Sequence, residues 1–129
     1  MLDFGKFDLA AQSAAGFAYH VVDPLGVPMT HEGKPVVITV SGSDSPAYKN
    51  RQRELARENT DKAIERDDLA MEMLVACTLG WQGIVWDGKP LAFTPDNARM
   101  LYNRHEWLRE DVARAVLDRA NFLAYAPAG

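Results

Sequence analysis

A chain of 129 residues, 47% apolar and 25% charged, matches one ordinary globular domain and is long enough to enclose a core. Its net charge of −4 and pI of 5.3 argue against a nucleic-acid partner, which asks for a basic face. No uncharged apolar run approaches the roughly 20 residues that cross a bilayer, no basic-then-apolar leader opens the chain, and the lone Cys77 has no disulfide partner, so a reducing, cytosolic setting without membrane contact is expected.

The expected fold is α+β: an N-terminal antiparallel β-ribbon packed on a mainly α-helical body with one long charged helix, one buried helix and a C-terminal helical pair. Residues 1–16 read as an N-terminal arm and 17–129 as a single domain, divided into ribbon 17–41, helical body 42–124 and frayed tail 125–129. Within the arm, Leu9 to Ala15 is either a helix or a mobile stretch of small side chains. Phe17 to Val22 and Val36 to Val40 carry the aromatic and β-branched residues of strands. Pro24, Gly26, Gly33 and Pro35 punctuate the chain between them.

Ser45 then caps a helix and Pro46 takes its first position, where a missing N–H is harmless. From Ala47 to Asp68 charge dominates, and Tyr48, Leu55, Ala56, Ala63 and Ile64 form only a narrow apolar stripe. One long helix with most of its surface in water is expected there, braced by Glu58 and Lys62 at i,i+4 spacing. Leu69 to Leu79 has a single charge, Glu72, and reads as a central helix buried nearly all round, ended by Gly80 in a left-handed turn.

A break from Trp81 to Pro90 follows, with a small hairpin expected from Ile84–Trp86 and Leu91–Phe93 around Asp87–Pro90. Thr94, Pro95 and Asp96 open a helix whose one face carries Ala98, Leu101 and Tyr102. A second amphipathic helix runs from Trp107 through Leu108, Val112, Ala115 and Val116 to Phe122 and Leu123. The core residues expected from these patterns are Leu69, Met73, Leu74, Cys77, Leu101, Leu108, Val112 and Val116.

No reactive constellation emerges. His20, His31 and His105 are far apart and lack metal-ligand spacing, so they read as ordinary surface or part-buried histidines, and no metal or cofactor is expected. Ser41, Ser43 and Ser45 are explained by helix capping, and neither a nucleophile elbow nor a phosphate-binding loop is present. No catalytic residue is assigned and an enzyme is not expected; single replacement of His20, His31, His105 or Cys77 is expected to leave function intact. A helix-turn-helix reading of the last two helices founders on charge, because Glu106, Glu110, Asp111 and Asp118 offset Arg99, Arg104, Arg109, Arg114 and Arg119. Trp81, Trp86, Met100 and Trp107 are the candidate contacts with a partner, tryptophan burying a large rigid surface at low entropic cost. The competing role for Trp81 and Trp86 is to seal the end of the buried helix.

The run Val40, Ser41, Gly42, Ser43, Asp44, Ser45, Pro46, Ala47, Tyr48 resembles the strand-to-helix junction of the tail assembly chaperones of long-tailed bacteriophages, where a glycine and an Asp-Ser pair precede a charged helix. The stretch from Leu74 through Gly80-Trp81 and Asp87-Gly88 to Phe93, Thr94, Pro95, Asp96 and Asn97 is similar to that family's central pattern. Leu101 and Trp107-Leu108 fall where the family has leucines and a Pro-Trp-Leu-like element, with Glu106 in place of the proline. The resemblance implies a non-enzymatic chaperone in the host cytoplasm. Its client would be the tape measure protein, a long helical chain, which it keeps soluble while tail tube subunits polymerise around it. The tail tube protein and a second copy of the chain are further partners on this reading. The alternatives are a structural tail or head-tail connector protein, retained in the virion, and a small DNA-binding regulator.

Overall fold

A computed structural model describes residues 3–4, 7–58 and 66–123. The fold is mixed α+β, with antiparallel strands and five α-helices among the described residues. Helix α1 (Leu9–Ala15) starts where the Asp8 carboxylate accepts the Ala11 N–H at 3.0 Å. Of the two readings of this segment, the helix holds. It docks through Ser13, whose carbonyl accepts the Gly42 N–H at 3.1 Å. A Cβ at Gly42 would collide with Ser13 Oγ and the Phe122 ring, so this close approach requires glycine.

The expected ribbon is present: strand β1 (Phe17–His20) pairs antiparallel with β4 (Val37–Val40), Phe17 opposite Val40 and Tyr19 opposite Ile38. Between them β2 (Thr30–His31) and β3 (Lys34–Pro35) form a separate small hairpin, turned by Glu32 and Gly33 at φ 52° and 77°. Two consecutive positive φ values twist a two-residue loop in the sense the strands require.

The apolar run after Asp68 departs from expectation. Helix α3 (Arg66–Cys77) stops at Cys77, and Thr78–Gln82 is strand β5, which completes a sheet of order β1-β4-β5. Gly80 therefore lies within a strand and ends no helix. Thr78 marks the change: its hydroxyl bonds the Leu74 carbonyl at 2.9 Å and the Tyr102 hydroxyl at 2.8 Å. The free edge of β4 supplies backbone partners to the residues that follow, and a short apolar run carries no period that separates helix from strand. Leu79 is the extra residue of a bulge between Thr39 and Val40, and it stands 45% exposed. Nor is α3 buried all round. Met71, Leu74, Val75 and Cys77 face the core, Ala70 is exposed, and Glu72 lies under two arginines.

One straight helix through Asp68 is also excluded. Helix α2 (Pro46–Glu58) begins as expected, Ser45 Oγ accepting the Tyr48 N–H at 3.2 Å. It lies alongside α3, with Arg51 3.1 Å from Glu72; in a single straight helix those residues would be roughly 30 Å apart. Lys62, the expected partner of Glu58, the stripe positions Ala63 and Ile64, and the expected tail 125–129 lie outside the described residues.

The second small hairpin joins β6 (Val85–Trp86) to β7 (Lys89–Pro90). It is tighter than expected, because Asp87 and Gly88, at φ 50° and 80°, make the whole turn and Lys89 and Pro90 pair. Helix α4 (Pro95–Arg104) is capped by Thr94 Oγ1, which accepts the Asn97 N–H at 3.0 Å. Helix α5 (Glu106–Leu117) ends earlier than its apolar stripe suggests. Asp118 turns extended and accepts the Ala120 N–H at 3.1 Å, opening a 3₁₀ turn at Arg119–Phe122. This side-chain bond gives the backbone an alternative to the helix, and it delivers the Phe122 ring to within 6.0 Å of Phe17.

Leu74, Cys77, Leu101, Leu108, Val112 and Val116 are buried as expected, whereas Leu69 and Met73 are half-buried. Ile38, Val40 and Tyr102, fully buried, join them in one cluster. Among the described residues no helix is long and apolar enough to cross a membrane.

Glu72 ties three helices together. Arg99 of α4 grips it at 2.7 and 2.8 Å, and Arg51 of α2 at 3.1 Å. The Arg99 bond, opposed by desolvation and reinforced by Arg51, holds the carboxyl below its ordinary value of 4.5. A depressed folded-state pKa contributes stability that is present above the unfolded value and lost as pH falls through the folded one. Denaturant midpoints should therefore drop on acidification below about pH 4.5, and drop less in Glu72→Gln, which gives up on the order of 1 kcal/mol at neutral pH. Parallel pH profiles of the two proteins would contradict this.

Candidate functional site

The four candidate contacts do not form one surface. Trp81, on β5, turns inward: its indole N–H donates to the Leu91 carbonyl at 2.8 Å, and its ring meets Phe93 edge-on at 5.0 Å. It braces β5 against the segment that follows β7, a different role from the expected one of sealing the end of the buried helix, which stops at Cys77. Met100 sits on the outer side of α4, 37% exposed and away from the tryptophans' cleft.

Trp86 and Trp107 do come together. Each meets the His105 ring, with centroids 6.0 and 6.2 Å from the imidazole and planes inclined at 68° and 67°. All three line an open cleft of about 250 Å³. One wall is the β6 strand, a second is the β2 segment with Met29, Thr30 and His31, and the floor is made by Val21, Val36, Leu101 and Leu108. None of the described lining residues carries a carboxylate, an ammonium or a guanidinium. Thr30, His31 and His105 bring polar side chains to the lining, beside the two indoles.

In the segment leading to Met29, Val27 and Leu25 also expose large apolar side chains, Leu25 to 89%. This tip is ordered by Asp23, whose carboxylate accepts the Leu25 N–H at 2.9 Å and the Val27 N–H at 3.0 Å. A braced turn that holds large apolar side chains in water is unusual for a surface with no partner.

The remaining polar groups largely satisfy one another. In the groove between β1 and α5, Asp111 is ion-paired to Arg114, and the Tyr19 phenol is pushed up by burial and by the nearby Asp111 charge. Arg99, Arg109 and Arg119, like Arg114, each meet a carboxylate, respectively Glu72 and Asp96, Glu106, and Asp44. Cys77 is fully buried, which pushes its thiol up and keeps it from any substrate. Among the described residues no three His, Cys, Asp or Glu side chains gather as metal ligands.

Sequence reading singled out Trp86 and Trp107 but missed Met29, His31 and His105 as their neighbours. The available signal was the pair of tight turns, Glu32-Gly33 and Asp87-Gly88, which project two short hairpins toward one end of the helical pair. Comparison of the chain with protein-family models, with curated proteins and with solved structures finds no match.

Proposed function

We propose that this protein is a non-enzymatic assembly chaperone that holds a helical client through the cleft between Trp86 and Trp107. The observation that carries the reading is an open apolar cleft lined by two tryptophans, with Val27 and Leu25 exposed in the segment that leads to its lining residue Met29. A cleft of about 250 Å³ accommodates one or two large side chains, not the body of a helix. Its occupant is therefore an apolar knob on the face of an amphipathic segment. A lining that holds no carboxylate, ammonium or guanidinium among the described residues favours an apolar occupant. Ion-paired arginines on α4, α5 and the 3₁₀ turn favour a protein client over a phosphate backbone.

The family resemblance of the Val40–Tyr48 and Leu74–Asn97 segments supplies the client's identity: the phage tape measure protein, kept soluble until tail tube subunits enclose it. A long helix alone in water exposes an apolar stripe along its length, and many weakly bound copies of a small chaperone would cover it by avidity. Co-expression of the chain with the tape measure protein tests this: the client should remain in the soluble fraction with the wild-type chain and fall out with Trp86→Ala.

A further inference from the structure

We infer that His105 is a positioning residue of the cleft, whose imidazole sets the separation and angle at which Trp86 and Trp107 face a partner. The inference rests on the cleft reading above. Its first support is a side chain in the wrong place for any local duty. His105 is the junction between α4 and α5: its N–H closes α4 on the Leu101 carbonyl at 3.0 Å, and its own carbonyl accepts the Leu108 and Arg109 N–H groups at 3.1 Å. The start of a helix favours Ser, Thr, Asp or Asn, whose short side chains cap it. His105 makes no side-chain capping bond to α5. The junction thus forgoes a cap for a ring.

The second support is where that ring goes. It meets both indoles, inclined at 68° to one and 67° to the other, the edge-to-face arrangement that aromatic groups prefer. Trp86 comes from a two-residue strand of a small hairpin, Trp107 from the first turn of α5. The imidazole bridges these two elements, and the backbone bonds on either side of His105 fix the direction of its Cβ. A tryptophan hot spot works only when its rotamer is held by neighbours before the partner arrives. This reverses, for His105 alone, the sequence-based expectation that its loss is silent.

The two roles of His105, at the helix junction and against the indoles, separate in the variant His105→Ser. Serine is the better cap, so a purely structural role predicts an unchanged or raised melting temperature and unchanged tryptophans. The chain has three tryptophans, and fluorine NMR of the full chain labelled with 5-fluorotryptophan reports each, with assignment by single Trp→Phe variants. The positioning role predicts that in His105→Ser the Trp86 and Trp107 resonances move toward that of free fluoroindole while Trp81 stays, at an undiminished melting temperature. It also predicts that His105→Phe, which restores a ring, keeps all three resonances dispersed. Client held soluble in co-expression should fall roughly tenfold in His105→Ser, equivalent to 1.4 kcal/mol, and recover in His105→Phe. Trp86 and Trp107 resonances unmoved in His105→Ser would overturn the inference, as would an equal shift of all three with a lowered melting temperature. If the two resonances move and client capture does not change, the positioning role stands and the cleft reading fails.

Discussion

Replacing Tyr102 with Ala should lower the unfolding free energy by about 3–5 kcal/mol, the range for removing a large ring from a closed core. Tyr102, on the inner face of α4, is the largest fully buried side chain among the described residues. Its hydroxyl bonds Thr78 at 2.8 Å, and burial pushes its pKa up to about 12. Packing and hydrogen bonding separate in the companion variant. Tyr102→Phe keeps the ring, and the Thr78 hydroxyl still has the Leu74 carbonyl at 2.9 Å, so the loss should be about 1 kcal/mol. Urea denaturation of both variants checks this. A Phe variant as unstable as the Ala variant would mean that the hydroxyl pair, and not the ring, holds α4 to the start of β5.

Leu74→Ala should destabilise by about 2–5 kcal/mol. Leu74 is 4% exposed and sits in the last turns of α3 beneath the sheet and α5. Its carbonyl is also the acceptor that anchors Thr78 where helix gives way to strand, so a cavity there loosens the change of direction as well as the core. Met73→Ala, one residue away but half-buried, should cost clearly less. An unchanged denaturation midpoint for Leu74→Ala would place this side chain outside the core.

What was legible in the sequence was local. Ser45-Pro46 and Thr94-Pro95 each announce a helix start because the capping hydroxyl and the bonded N–H are only three residues apart. Asp87-Gly88 announces a turn because positive φ is demanded at the site itself. What failed depended on distant partners. Thr78–Gln82 is a strand because β4 offers it an edge, and nothing within the apolar run says so. The α5 stripe keeps its phase through Ala115 to Phe122, so periodicity runs past the Asp118 bond that stops the helix. The long charged segment gave no sign that Arg51 would meet Glu72 across two packed helices. For the site, tryptophan content drew attention to Trp81, Trp86 and Trp107 alike. Only the fold separates the one that braces β5 on Leu91 and Phe93 from the two that meet His105.

The central claim is that the cleft between Trp86 and Trp107 holds the client, and a matched pair of readings on Trp86→Ala tests it most directly. Trp86 is half-buried, on a two-residue strand at the margin of the core cluster, so its truncation should leave the fully buried core in place. A binding hot spot there is worth about 2 kcal/mol, roughly 30-fold in affinity. The measurement is the amount of tape measure protein kept soluble in co-expression with the wild-type chain and with Trp86→Ala, beside the thermal melt of each. The cleft account predicts a melting temperature close to wild type and a client that precipitates. A variant that folds normally and still keeps the client in solution would contradict it.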